Sequence, residues 1–203
     1  YLVESKDLPY ERIDVLNKII TNKVNIVVTT IEAIMQKMIA KKTLYKNILK
    51  LKVGSECKLE DLKKYLVSLG YERSDMVEGR GQFAVRGGIV DISLTEKYGT
   101  RIEFWGDEVD SIRKFEILSQ RSTEMSDSID IYPCHEFILE TDIDDIKHKI
   151  DSYKKCSEED KELICSGNYL SKRGKYFDLF YDNQANFSDY ISHRYLLKLD
   201  EET

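Results

Sequence analysis

Arginine is the most unevenly placed residue type in this sequence, with six of the nine arginines falling between Arg73 and Arg121. A guanidinium presents a planar fork of five donors matched to carboxylate and phosphate oxygens, so a cluster of them suits recognition of acidic groups. Arg73, Arg80, Arg86, Arg101 and Arg113 stand among short apolar segments and glycines. That is the setting of strands and turns, which hold a fork steady and reduce the entropy lost on binding. Two partners fit, a nucleic-acid backbone or an acidic protein surface. A third reading pairs the arginines locally, Arg73 with Asp75 and Arg101 with Glu103, for small net gain. Phe83 and Trp105 are each either core residues or the apolar anchor of an interface.

Other chemistries find less support. Residues 79–88, GRGQFAVRGG, are glycine-rich but lack the lysine and hydroxyl residue of a phosphate-binding loop, and GxxxxGK[ST] occurs nowhere. Gly87–Gly88 reads instead as a reversal that uses positive backbone angles. His135, His148 and His193 lie in unrelated contexts. Cys134 and His135 are adjacent, and neighbouring strand residues point to opposite faces. Glu103, Asp107, Glu108 and Asp110 offer oxygens to a divalent ion, but a turn and interleaved aromatics make solvated hairpin positions the simpler account. Cys57, Cys134, Cys156 and Cys165 show no CxxC spacing, which reads as free thiols in a cytoplasmic protein. No catalytic, cofactor or metal site is assigned.

The elements that must hold these residues follow from periodicity. The 203 residues, 41% hydrophobic and 33% charged, suffice for one sizeable core or two smaller ones. The net charge of −6 argues against the broad positive field of a non-specific DNA binder. There is no signal segment and no long apolar run, so no membrane is expected. The chain starts without methionine and ends in Asp200–Glu201–Glu202–Thr203, which reads as a piece of a longer polypeptide. Helical spacing covers 10–20 and 31–39, the latter capped by Thr30 or Thr29, with Met35 and Met38 as core. Between them, Ile26–Val28 reads as a strand. Leu44–Val53 is extended, and KLEDLKKYLVSLGY is an amphipathic helix closed by Gly70. Five strands are expected after it: 71–77, 82–86, 89–93, 101–105 and 108–117. Phe83, Val85, Ile89, Ile92, Ile102 and Phe104 are expected inward in some combination. Ile129–Tyr132 reads as a further strand, 138–153 as a charged helix and 195–199 as a last strand.

The fold class expected is α/β, a partial layered α/β domain carrying an inserted small α+β domain. Its parts are 1–52, 53–118, and 119–203 as the connecting segment and return.

GYERSDMVEGRGQFAVRGGIVDI, then RIEFWGDEVDSIRKFEILSQRS and IYPCHEF, resemble the UvrB-like amino-terminal module of the transcription-repair coupling factor (Mfd) family. The resemblance covers most of the chain and is weakest in 140–165. It implies that 53–118 is the second domain of that module, the contact for UvrA, and that the module has no ATPase of its own. It also implies a parent that is an ATP-driven DNA translocase, with ATP and magnesium held elsewhere, acting on stalled RNA polymerase and double-stranded DNA. The family's contact arginines carry over to Arg73, in GYER, and Arg86, in FAVR; both would engage carboxylates, with Phe83 or neighbouring apolar atoms excluding water around them. The family further implies masking of this surface by a distant domain. Two departures are Ala84, where UvrB has a further arginine, and Asp91–Ile92–Ser93–Leu94, where relatives read DIFP. Direct binding to a DNA backbone is the alternative function.

Overall fold

A computed structural model of the chain describes residues 8–136, 138, 148–151, 153, 156–165, 176, 181 and 184–191. In chain order the elements are α1 (Leu8–Ile20), α2 (Ile31–Met35), β1 (Met38–Ile39), α3 (Lys41–Lys46), β2 (Leu49–Lys52), α4 (Leu59–Ser68) and β3 (Glu72–Arg73). They continue as β4 (Gln82–Arg86), β5 (Ile89–Ser93), β6 (Tyr98–Trp105), β7 (Glu108–Glu116), β8 (Ser122–Ser126) and β9 (Ser128–Ile131). Last come α5 (Glu158–Cys165), β10 (Gln184–Ala185) and α6 (Phe187–Tyr190). The fold is mixed α and β, as expected. No helix among the described residues is long and apolar enough to cross a membrane.

Strands β3 to β8 form a six-stranded sheet in sequence order, antiparallel except for the parallel pair β3–β4. Alternation along the strands gives the sheet two faces. One face, with Phe83, Val90, Ile92, Ile102, Val109 and Ile112, packs on α4 through Leu62, Leu66 and Leu69. Burying each leucine of that stripe contributes roughly 1.5–3 kcal/mol. Helix α4 stops where Gly70 takes φ +89°, which lets its N–H reach Val67 O at 2.9 Å and Tyr71 N–H reach Leu66 O at 3.0 Å. The same core takes in Leu51 of β2 and Ile131 and Cys134 at the far end, because β2 pairs antiparallel with β9. It therefore extends on both sides of the 53–118 span expected from sequence.

A second core gathers α1, through Ile13, Leu16, Ile19 and Ile20, with Met38, Ile39, Leu44, Tyr176, Phe187 and Tyr190. Here β1 pairs with β10, so residues nearly 150 positions apart close one layer. Tyr10 leaves α1 to pack against the first core, and Arg12 ion-pairs with Glu136.

Several local expectations change. Ile26–Val28 forms no strand: Ile26 and Val28 are exposed, and no neighbouring strand completes their backbone hydrogen bonds among the described residues. The expected helix over 31–39 is two elements, α2 capped by Thr30 accepting from Ala33 N–H at 3.3 Å, then β1. Met38 is core as expected, whereas Met35 is 75% exposed because α2 ends before its stripe meets a partner. Only Glu72–Arg73 of the expected strand 71–77 pairs, since the following loop turns to place Val77 beside Ala84 and Phe115 on the other face. The expected strand 195–199 and most of 138–153 lie outside the described residues.

Gly99 matters to that other face. A methyl group there would sit 2.4 Å and 2.5 Å from ring carbons of Phe115 and 3.0 Å from Ile92 O. Gly99→Ala is expected to destabilise by about 1–3 kcal/mol, the usual cost of overpacking. A denaturant midpoint equal to that of the parent chain would show that the Phe115 ring can give way.

Candidate functional site

Arg73 lies on the edge strand β3, in register with Phe83 of β4. In-register neighbours share a face, so Arg73 projects on the α4 side. There it borders a groove of 370 Å³ with Glu60, Lys63, Lys64 and Val67, which lies over the buried Phe83. Arg73 is exposed and makes no hydrogen bond or ion pair among the described residues. Its charge still reaches Glu60, whose carboxyl is held below the usual range chiefly by the Lys63 hydrogen bond of 2.6 Å, with smaller help from Arg73. Strand β3 bonds β4 through Glu72 N–H to Gly81 O and Ser74 N–H to Phe83 O, which turns the Arg73 peptide groups outward along an open edge.

Arg86 stands three residues beyond Phe83 and so projects from the opposite face. Its Nη2 donates to Asp91 Oδ2 at 2.6 Å, and its side chain keeps 47% exposure. Asp91 is 1% exposed and accepts two more bonds from Arg101, Nε to Oδ1 at 2.7 Å and Nη2 to Oδ2 at 2.9 Å. Those hydrogen bonds raise the Arg101 pKa, and its guanidinium lies 4.9 Å from the centre of the Phe115 ring. Next along, Glu103 accepts from Ser111 Oγ at 3.0 Å and from Arg113 Nη2 at 3.3 Å. This face of the sheet is therefore a ladder of paired charges, and only part of it reaches solvent.

The structure sorts the arginines that sequence grouped together. Arg73 and Arg86 flank the same edge on opposite faces; Arg101 is committed to a buried carboxylate; Arg80 and Arg113 each bury an Nε with no hydrogen-bond partner. Neither local pair expected from sequence forms: Arg101 takes Asp91, its register neighbour, and Glu103 takes Arg113. Phe83 is 0% exposed, which corrects its reading as an exposed anchor and makes it the centre of the core beneath β4. Trp105, left open between core and surface, is 84% exposed beside the turn at Gly106. In sequence Asp91 stands out only within the Asp91–Ile92–Ser93–Leu94 departure and not as a site residue, since an isolated aspartate between β-branched residues gives no sign of its partners.

Departures within the site are absorbed locally. Ala84, where UvrB was expected to carry another arginine, is buried against Val77, Phe115 and Ile117. Ser93 is buried, and its single hydroxyl proton is shared between the strand-exit carbonyls of Thr95 and Tyr98, 2.6 Å and 2.8 Å away, closing the turn into β6. Among the described residues no group of His, Cys, Asp and Glu has metal-ligand geometry.

A helix packed on one face of a mostly antiparallel sheet, with an arginine on either side of its edge, makes a small α+β domain. Residues 49–137 match the family model of the UvrB interaction domain, whose limits coincide with β2 and the segment after β9. Over nearly its whole length the chain that carries this domain is similar to transcription-repair-coupling factors. It is 35% identical over 218 aligned residues to the transcription-repair-coupling factor of Bacillus subtilis, covering 98% of this chain and 18% of that protein. It is 29% identical over 133 residues to that of Escherichia coli, covering 65% of the chain and 12% of the relative. UvrABC system protein B of Thermosipho africanus is 35% identical over 179 residues, covering 88% of the chain and 26% of the relative. The chain thus spans less than a fifth of the length of these coupling factors.

Proposed function

We propose that this chain is the UvrB-like module of a transcription-repair coupling factor and that its middle domain docks UvrA. The parent protein would bring UvrA to RNA polymerase stalled at DNA damage, in the cytoplasm. The observation that carries this reading is the half-exposed Arg86 fork, which spends one donor group on Asp91 and has no other protein partner among the described residues. The unpaired Arg73 at the same edge supports it. Two arginines on opposite faces fit a partner that straddles the β3–β4 edge and offers carboxylates to both sides. ATP and magnesium would be bound by a translocase region of the parent, and the 203 residues would contribute binding without catalysis. In the parent, a distant domain would mask the surface until the machine engages, making the isolated chain the tighter binder.

Calorimetric titration of the chain with purified UvrA tests the reading. Saturable binding is expected, and Arg73→Ala or Arg86→Ala should each weaken it about tenfold or more, since losing one partner of an engaged charge pair typically costs about 2–5 kcal/mol. No binding by a folded chain overturns the docking role. Binding to arbitrary duplex with steep salt dependence would put DNA-backbone recognition in its place.

A further inference from the structure

We infer that Asp91 is a positioning residue: buried beneath the sheet's second face, it fixes the Arg86 fork in the orientation that the partner meets. The inference rests on the docking role proposed for Arg86 and adds a residue that itself never reaches the surface. The geometry behind it is a single carboxylate shared by two guanidiniums. Arg101 holds both oxygens of Asp91 through Nε and Nη2, and its own side chain is only 15% exposed. The carboxylate is thereby set in place from the β6 side. Arg86 reaches the same carboxylate from β4 through Nη2 alone.

Three charge-assisted hydrogen bonds on one desolvated carboxylate make a rigid unit. Asp91 sits in register with Ala84 on one side and Arg101 on the other, so the backbone ladder holds the carboxylate as firmly as its hydrogen bonds do. A long side chain on a strand end would otherwise sample many rotamers, and an interface would have to freeze them on binding. The fork that remains for a partner is pre-oriented, with Nη2 tied to Asp91 and no other side-chain hydrogen bond among the described residues. Two positive charges against one negative also leave the unit with a surplus positive charge, and Arg86 is the more exposed of the two cations. That surplus suits an incoming carboxylate.

The test is a double-mutant cycle in the 203-residue chain, with affinity for purified UvrA as one readout and fast-timescale NMR relaxation of arginine Nε–H groups as the other. Asp91→Asn is expected to weaken binding about fivefold or more, and by no more than about twofold when Arg86 is already alanine, because coupled residues depart from additivity. Equal losses in both backgrounds, or no loss in either, overturn the positioning role. If Arg86→Ala leaves affinity unchanged, the docking reading itself fails, which is a separate outcome. Should Asp91→Asn not fold, relaxation of the parent chain decides: Arg86 Nε–H should be as restricted as that of Arg101. Motion as free as that of the unpaired Arg73 overturns the inference.

Discussion

Phe83→Ala is expected to destabilise the chain by about 3–5 kcal/mol, the range for truncating a fully buried aromatic ring. Phe83 is fully buried between Leu62, Leu66 and Ile92 in the core that joins α4 to the sheet. The lost ring would leave a cavity at the strand that carries both Arg86 and the pairing partner of Arg73. The effect should appear first in the urea midpoint, with affinity for UvrA falling only where the folded fraction falls. An exposed anchor would behave in the opposite way, losing affinity at unchanged midpoint. That pattern would return Phe83 to the interface.

Alkaline pH is expected to destabilise the fold steeply. Burial pushes the phenol of Tyr71 and the thiol of Cys134 well above their usual values, and burial with the nearby Glu136 charge does the same for Tyr190. The neutral phenols are also the forms the structure uses, since Tyr71 Oη donates to Tyr132 O at 2.9 Å and Tyr190 Oη to Ile39 O at 2.6 Å. Each group has a folded pKa above its unfolded one. Its contribution is therefore fully present below the unfolded pKa and is lost as pH rises toward the folded value. The window opens near pH ~8.5 for the thiol and near ~10 for the phenols, the unfolded values. Beyond both, each silent group removes about 1.4 kcal/mol per pH unit, so the three together remove roughly 4 kcal/mol per unit. Urea midpoints measured from about pH 8 to about pH 11 should fall with increasing slope. A flat profile would mean that these groups ionise in the folded chain as readily as in water.

These two predictions concern the cores, while the docking role concerns charges, and the sequence was informative about them to different degrees. The α4 stripe, the Gly70 stop and strands β4 to β7 were legible because period and turn chemistry agree there. Strand β8, Ser122–Ser126, was not, because all five of its residues are exposed and it carries no alternation. It exists because β7 offers it an edge to pair with. The helix expected over 31–39 failed for a similar reason. Its apolar spacing fits a helix, but Met38 and Ile39 are taken by β10, which only the folded chain brings near.

By itself, the sequence determined that a short amphipathic helix precedes a run of hairpin strands, that arginines concentrate on those strands, and which known family the pattern resembles. Tertiary structure alone decided which arginine is available. Register places Asp91 opposite Arg101 and within reach of Arg86, and strand parity sends Arg73 to the α4 face and Arg86 to the other. A shift of one residue in pairing would invert every one of those assignments, because side chains alternate with a period of two. Composition and spacing record which residues are present; the register of β3 to β7 determines which of them touch and which remain open to a partner.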